Sequence, residues 1–541
     1  MMDETHNPDP RQRVSRRGLL SSGLRLGGGL AGVHLLGGAG QILTAGAATV
    51  AQPKRGGTLV AAQEVDPVSL DPHTNSNFSA MQGYEHIYES LTGYDEKTNI
   101  VPILAEKWET SNGGKTYTFH LRPNVKFHNG QTMTSEDVKY SIDRVIDPKT
   151  ASPWRSWFDS VAEVKIVDPL TIQINLKEPY PGLLGSFAGM RASGIIPKGL
   201  AERENLKIKA IGTGPFKLVE FVPQDHITYA RHQDYWDKPL PYLDGMVFKV
   251  LTEDNARVAA LRAGQIQYAH LEAQGYEQLK NAPGMTVLKS PSAWVVLHYI
   301  NVSRKPLNDW RVRKAMRMAV DTNEVIQKAV LGLGVPSGPV PTGYGDWYLD
   351  PKTLPYQKAD IEGARKLLAE AGYPNGGFKI EIKCSPQYPE FVATTLIVQD
   401  SLKKLGIDVQ VVQQEWGTFV KDHNTETQTK GREGGEIFTS ANTFRPDPDG
   451  YIYPYFHSAG TINDGGYTNA KLDPLMQQAR SIFNHDQRKS LYREIQRTLL
   501  NESPDWWWYV KFNIDALSSK VQGYAQSFTG RRIFLKKTWL A

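Results

Sequence analysis

The sequence predicts a mixed α/β protein built from more than one unit. Three observations point there. Strand, helix and strand patterns follow one another over short links between residues 360 and 411. Alternating apolar strands and single amphipathic helices are mixed along the rest of the chain, with no repeat and no low-complexity segment. The length of 541 residues exceeds one core, since about 150 residues per domain implies roughly three to four units.

Taken in order, Thr58 to Gln63 reads as a buried strand, and the prolines of Pro67-Val68-Ser69-Leu70-Asp71-Pro72 then force a loop. Residues 84–91 read as a short helix. Tyr117, Phe119 and Leu121 alternate with polar residues, the pattern of a half-buried strand. Gly130 marks a turn. Thr134 with Asp137 makes a capping box, and Val138, Ile142 and Val145 share one face of the helix it starts. Ile172, Ile174 and Leu176 alternate again. Residues 211–216 form a Gly/Pro turn before an apolar strand, and helices are expected over 254–263 and 309–320. Residues 360–371 are helical and stop at Gly372; Phe378, Ile380 and Ile382 alternate. Residues 391–405 are helical and stop at Gly406; Ile407, Val409 and Val411 alternate. Such a βαβ unit makes its two strands parallel, with a right-handed connection. A helix over 486–501, a Trp-rich strand and a basic tail close the chain. In Trp506-Trp507-Trp508-Tyr509 alternate rings point opposite ways, which puts half of them in a core.

A net charge of +5 is small for this length, and no Lys/Arg block is long enough to track phosphates. The single cysteine, Cys384, excludes an intrachain disulfide and a Cys-based zinc site. Ser15-Arg16-Arg17-Gly18-Leu19-Leu20 resembles a twin-arginine export signal. A Gly-rich, weakly apolar stretch and small residues up to position 51 follow it in the order such signals need. Beyond it no apolar run reaches the ~18 residues of a membrane helix. No cysteine stands near the cleavage region to carry a lipid. The mature chain is expected to be periplasmic, without an anchor.

Residues 438–458, FTSANTFRPDPDGYIYPYFHS, combine a Pro-broken acidic turn with a dense aromatic patch. A metal loop, a catalytic carboxylate pair or a cleft wall could all use them. Counting twelve from Asp447 reaches Ser458, where an EF-hand loop needs Glu, so no metal site is assigned. A glycosidase pair is compatible with residue type alone. Ser401 and Lys404 have Ser-Lys spacing without the companion motifs of that group. The chain lacks a G-x-S-x-G elbow, a GxxxxGK[ST] loop and H-E-x-x-H spacing, so no catalytic residue and no cofactor is assigned. Trp294 and Trp416 stand alone beside polar residues; each suits a core, and each suits an apolar cleft with few polar anchors.

Several blocks together resemble the extracellular solute-binding proteins of family 5, the dipeptide, oligopeptide and nickel-binding components of ABC importers. They are Leu104-Ala105-Glu106-Lys107-Trp108, residues 115–122 and 125–130, and Thr134-Ser135-Glu136-Asp137-Val138. Ser69-Leu70-Asp71-Pro72, Gly212-Thr213-Gly214-Pro215-Phe216, Arg311 to Ala315 and Ala364 to Tyr373 extend the likeness over the mature chain. The resemblance implies a large two-lobed periplasmic-binding-protein fold with a hinge and an extra inserted domain. Lobe one would comprise 52–91, 211–308 and 506–541, the inserted domain 92–210, and lobe two 309–505. A small solute, a peptide or peptide-like molecule, would bind between the lobes. The partners would be a membrane permease and its ATPase subunits, and the protein would act as a monomer and not as an enzyme. A sugar oligomer, an opine-like compound, a metal chelate or an exported hydrolase activity remain alternatives.

The resemblance also names site residues. The loop after Leu-Asp-Pro, with Asn75, Asn77 and Phe78, would touch the ligand. Trp416 in Gln414-Glu415-Trp416-Gly417-Thr418-Phe419 would line the pocket. A peptide would pair along 438–444, which includes Asn442. Peptide binders place an Asp for the ligand's ammonium four residues before the turn's proline. Here that position is Phe444, which argues against ordinary peptides, because an unpaired buried ammonium costs several kcal/mol. Arg445 and Asp447 stand beside it as candidates for another head group.

Overall fold

The structure, a computed structural model, describes residues 52–541 apart from 76, 77, 190, 191, 429–436, 461 and 464. The expected export signal lies outside the described residues.

Two lobes share one 11-stranded sheet. Lobe two contributes Asp408–Gln413, Lys379–Cys384 and Ile437–Asn442. Lobe one contributes Tyr268–His270, Thr58–Gln63, Gly245–Val250, His226–Arg231 and Phe216–Val222. Between these two sets lie two long antiparallel strands, Met285–Ile300 and Asp505–Ser518. Their pairing is interrupted between Pro291 and Val295. At this break Ser292 Oγ donates to the Lys511 carbonyl at 2.6 Å and accepts the Trp294 N–H at 3.1 Å. A side chain thus replaces missing ladder bonds at the crossing point. Beside it Lys511 Nζ reaches Glu272 at 2.7 Å and Glu390 at 3.4 Å, tying residues of both lobes to the crossing strand.

A separate four-stranded antiparallel sheet contains Ala105–Ser111, Thr116–Leu121, Thr171–Leu176 and Val161–Asp168. The helix Ser135–Ile146 covers it through Val138, Ile142 and Val145, which pack with Phe119, Ile172 and Ile174. Its capping box is formed as expected. The Leu-Asp-Pro loop is tied to this helix. Asp71 accepts two bonds from Arg144, at 2.9 and 2.7 Å. The Gly-Thr-Gly-Pro-Phe turn crosses residues 86–87 so closely that a Cβ on Gly212 would lie 2.2 Å from the Ile87 oxygen.

The βαβ unit forms as read: Lys379–Cys384 and Asp408–Gln413 pair in parallel, joined by the helix Pro389–Lys403. Two expectations need correction. The helix expected over 84–91 lies earlier, at Phe78–Tyr84. The carbonyls of 86, 87, 89 and 90 instead accept from Phe216, Gly214, Ile195 and Leu104, so tertiary partners replace the helical ladder. All four rings of Trp506–Tyr509, not half, are buried, because both faces of the strand are covered. Trp506 and Trp508 pack into one core and Trp507 into the other.

Three buried histidines, His73, His86 and His298, and the partly buried His128 lie in this framework. Burial pushes His73 down to about 4 and His86, His128 and His298 down to about 3. Each accepts its proton near the ordinary value only after unfolding. Its stabilising contribution is therefore complete above pH ~6.5 and is lost as pH falls through the folded-state value. In an NMR titration from pH 7.5 to 5 the ring signals of these four should not move, whereas titrating rings would contradict the buried neutral assignment.

Candidate interlobe binding site

The carboxyl ends of the lobe-two strands meet beside the hinge. Cys384, Gln413 and Asn442 end their strands there, and Asn442 pairs with Val295, the residue after Trp294. Open α/β sheets bind ligands along this edge. Polar atoms without a partner among the described residues gather there: Trp294 Nε1, Ser385 Oγ and Gln414 Oε1 are all buried. An aromatic row lines the edge. Trp294 lies 5.6 Å from Tyr388, Tyr388 lies 5.0 Å from Trp416, and Trp416 stacks on Phe419 at 5.5 Å.

The Pro-broken turn adds a second wall. Tyr455 Oη donates to Asn442 Oδ1 at 2.8 Å and accepts from Arg445 Nη2 at 2.6 Å. Tyr451 Oη accepts the Arg445 N–H at 2.9 Å. Phe444 is buried edge-on against Tyr94, at 5.7 Å, and Tyr344, at 6.0 Å. Tyr94 Oη donates to the Pro446 carbonyl at 2.7 Å, so residues 444–446 are where lobe two meets the segment 92–210.

The turn's two aspartates are engaged elsewhere. Asp447 accepts from Arg488 Nη1 at 2.7 Å and Nη2 at 2.5 Å. Asp449 pairs with Arg480 at 3.2 Å, and its burial lifts its carboxyl to about 6. Each of the two carboxylates is thus paired with an arginine.

The model of the bacterial extracellular solute-binding proteins, family 5 Middle, matches residues 99–463. The chain belongs to this family. It is 30% identical over 503 residues to heme-binding protein A of Haemophilus influenzae, an alignment covering 86% of this chain and 89% of that one. It is 28% identical over 469 residues to the glutathione-binding protein GsiB of Pectobacterium atrosepticum, covering 84% and 89%. Its structure resembles that of the binding protein AgaA of A. tumefaciens R10 in complex with agropinic acid. The TM-score is 0.73 at 26% identity, covering 90% of this chain and 99% of AgaA.

Within this solute-binding protein the expected site residues fall into three groups. Trp416 stands in the aromatic row, Asn442 and Arg445 are joined through Tyr455, and Phe444 packs against Tyr94 and Tyr344. Asn75 and Phe78 lie in the lobe-one loop. The Asn75 carbonyl accepts from Trp154 Nε1 at 2.9 Å, and Phe78, 37% exposed, reaches over Gly530. Asn77 lies outside the described residues. Asp447 stands apart, because both its carboxylate oxygens are held by a buried arginine of its own lobe. Tyr388, Tyr455 and Trp154 were not singled out from the sequence. Tyr455 belongs to the aromatic patch visible there, but Tyr388 and Trp154 gain their places only through tertiary contacts.

Proposed function

We propose that the chain is the solute-capturing component of an ABC importer. It takes a small polar organic solute, a peptide or peptide-like molecule, between its lobes and presents the closed form to a permease with its ATPase subunits. The carrying observation is the pair of long strands crossing between the lobes beside an aromatic edge that ends in unpartnered polar atoms. Closure needs only two states and a ligand that prefers the closed one. In this reading no bond is made or broken. Export by the twin-arginine signal to the periplasm and action as a monomer complete it. Asn75, Phe78, Trp416, Asn442 and Arg445 face the solute; Asp447 holds the turn in shape. In this reading the lobes turn on the long strands, near the break at Pro291–Val295 and Lys511.

Phe444 favours a solute read without a free α-amine, and the agropinic acid bound by AgaA makes an opine-like compound the second reading. Phe444→Asp should place an unpaired carboxylate between Tyr94 and Tyr344 and destabilise the protein by at least about 3 kcal/mol. Denaturant unfolding reads this. A fully stable variant would show that the ring contacts do not exclude charge. The functional reading itself is tested by purifying the protein from its native host and identifying what it releases on denaturation. One small organic molecule per chain is expected. Measurable turnover of peptides or glycosides, abolished by Asp447→Asn, would replace capture with hydrolysis.

A further inference from the structure

Eight arginines in or near the cores of this protein divide by what neutralises them. Arg144, Arg257, Arg480, Arg488, Arg531 and Arg532 each hold a carboxylate: Asp71, Asp254, Asp449, Asp447, Glu85 and Glu64. Arg313 spends its donors on the carbonyls of Leu307, Glu502 and Ser503. Arg317 bonds the carbonyls of Val320 and Trp507 and the Thr322 hydroxyl. Both lie in the core.

Arg445 fits neither group. It is half-buried, and its side chain bonds Tyr455 Oη at 2.6 Å and, weakly, Thr443 Oγ1 at 3.3 Å and the Phe444 carbonyl at 3.5 Å. Those partners are neutral, and they leave part of a five-donor fork unused. A guanidinium kept out of bulk water without an anion is unfavourable, and the planar fork matches a carboxylate with two parallel bonds. Its place matters too. Phe444 and Pro446 on either side of it make the contact with Tyr94 of the segment 92–210. Through Tyr455 it reaches Asn442 at the strand end. A second donor points to the same chemistry: Trp294 Nε1 is buried without an acceptor among the described residues, one residue from the partner of Asn442.

We propose that Arg445 is the anchor for a carboxylate of the solute, so that this protein selects organic acids and is indifferent to a free amine. This rests on the solute-capture reading. Tyr455 and Asn442 hold the guanidinium in place, and the aromatic row from Trp294 to Phe419 takes the apolar remainder of the molecule.

The test has two arms. In the first, the molecule released by the protein from its native host is characterised by mass spectrometry. A carboxylate is expected; a molecule without an anionic group would overturn the inference while leaving solute capture intact. Release of nothing, with no binding in the second arm, would remove the capture reading and this inference with it. In the second, calorimetry compares the released molecule with its primary amide on wild-type protein, Arg445→Lys and Arg445→Gln. The acid should bind wild-type at least tenfold more tightly than the amide. Arg445→Lys should keep that preference at lower affinity, and Arg445→Gln should erase it with an unchanged melting temperature. Equal binding of acid and amide to wild-type, or a preference that survives in a folded Arg445→Gln, would contradict the assignment.

Discussion

Replacing Asp447 by alanine is expected to destabilise lobe two by about 3–5 kcal/mol, the usual penalty for orphaning a buried charge. The carboxylate lies against a guanidinium that is 4% exposed and flanked by the rings of Trp347 and Tyr492. Arg488 Nε is already bonded to the Ala479 carbonyl, at 2.8 Å. Without Asp447 its two terminal nitrogens face rings and the Tyr492 hydroxyl, at 3.3 Å. Asp447 Oδ1 also accepts the Asp449 N–H at 2.9 Å, where the helix Asp449–Phe456 begins. The double variant Asp447→Ala/Arg488→Met should recover most of the loss, since it removes both charges. Urea unfolding of the three proteins separates these outcomes. An Asp447→Ala protein of unchanged stability that no longer binds solute would return this residue to the site.

Adding one methyl at Gly185 should weaken solute binding without touching either lobe's core. Gly185 lies in the helix Leu183–Ala188, and a Cβ there would meet the Pro446 carbonyl oxygen at 2.0 Å and Tyr94 Oη at 3.2 Å. Real Cβ atoms essentially never come closer than 3.0 Å to such an atom, so the turn must retreat by about 1 Å. Overpacking of this kind costs about 1–3 kcal/mol. Here the strain falls on the contact between the segment 92–210 and lobe two. The closed form becomes less populated, and apparent affinity falls in proportion, roughly 5- to 150-fold. Tyr94→Phe removes only the hydrogen bond to Pro446 and should cost about 1 kcal/mol of closure. Calorimetry on both variants, with unfolding midpoints as control, reads the split. Unchanged affinity in Gly185→Ala would mean that this contact plays no part in closure.

Local signals and long-range ones were legible to different degrees. The βαβ unit follows from period-two strands and from helices that stop at Gly372 and Gly406, because those cues lie within a few residues of each other. The helix misplaced at 84–91 shows the opposite. Its apolar residues, Ile87, Tyr88 and Leu91, are buried as the pattern implies, but main-chain groups from elsewhere in the chain, three of the four more than a hundred residues away, take the carbonyls. The acidic turn was visible, while the role of Asp447 was not, since Arg488 lies 41 residues further on. Trp294 and Trp416 looked solitary, and only Tyr388, folded between them, makes them one wall. Gly185 carries no local mark at all, because what it avoids is the carbonyl of Pro446, 261 residues further on.

The central claim is capture by closure, without chemistry. Small-angle scattering tests it most directly, on the protein stripped of bound small molecules and again after the released molecule is added back. The account predicts a smaller radius of gyration on binding and recovery of the molecule unaltered. An unchanged radius at saturation, or a chemically converted molecule, would contradict it.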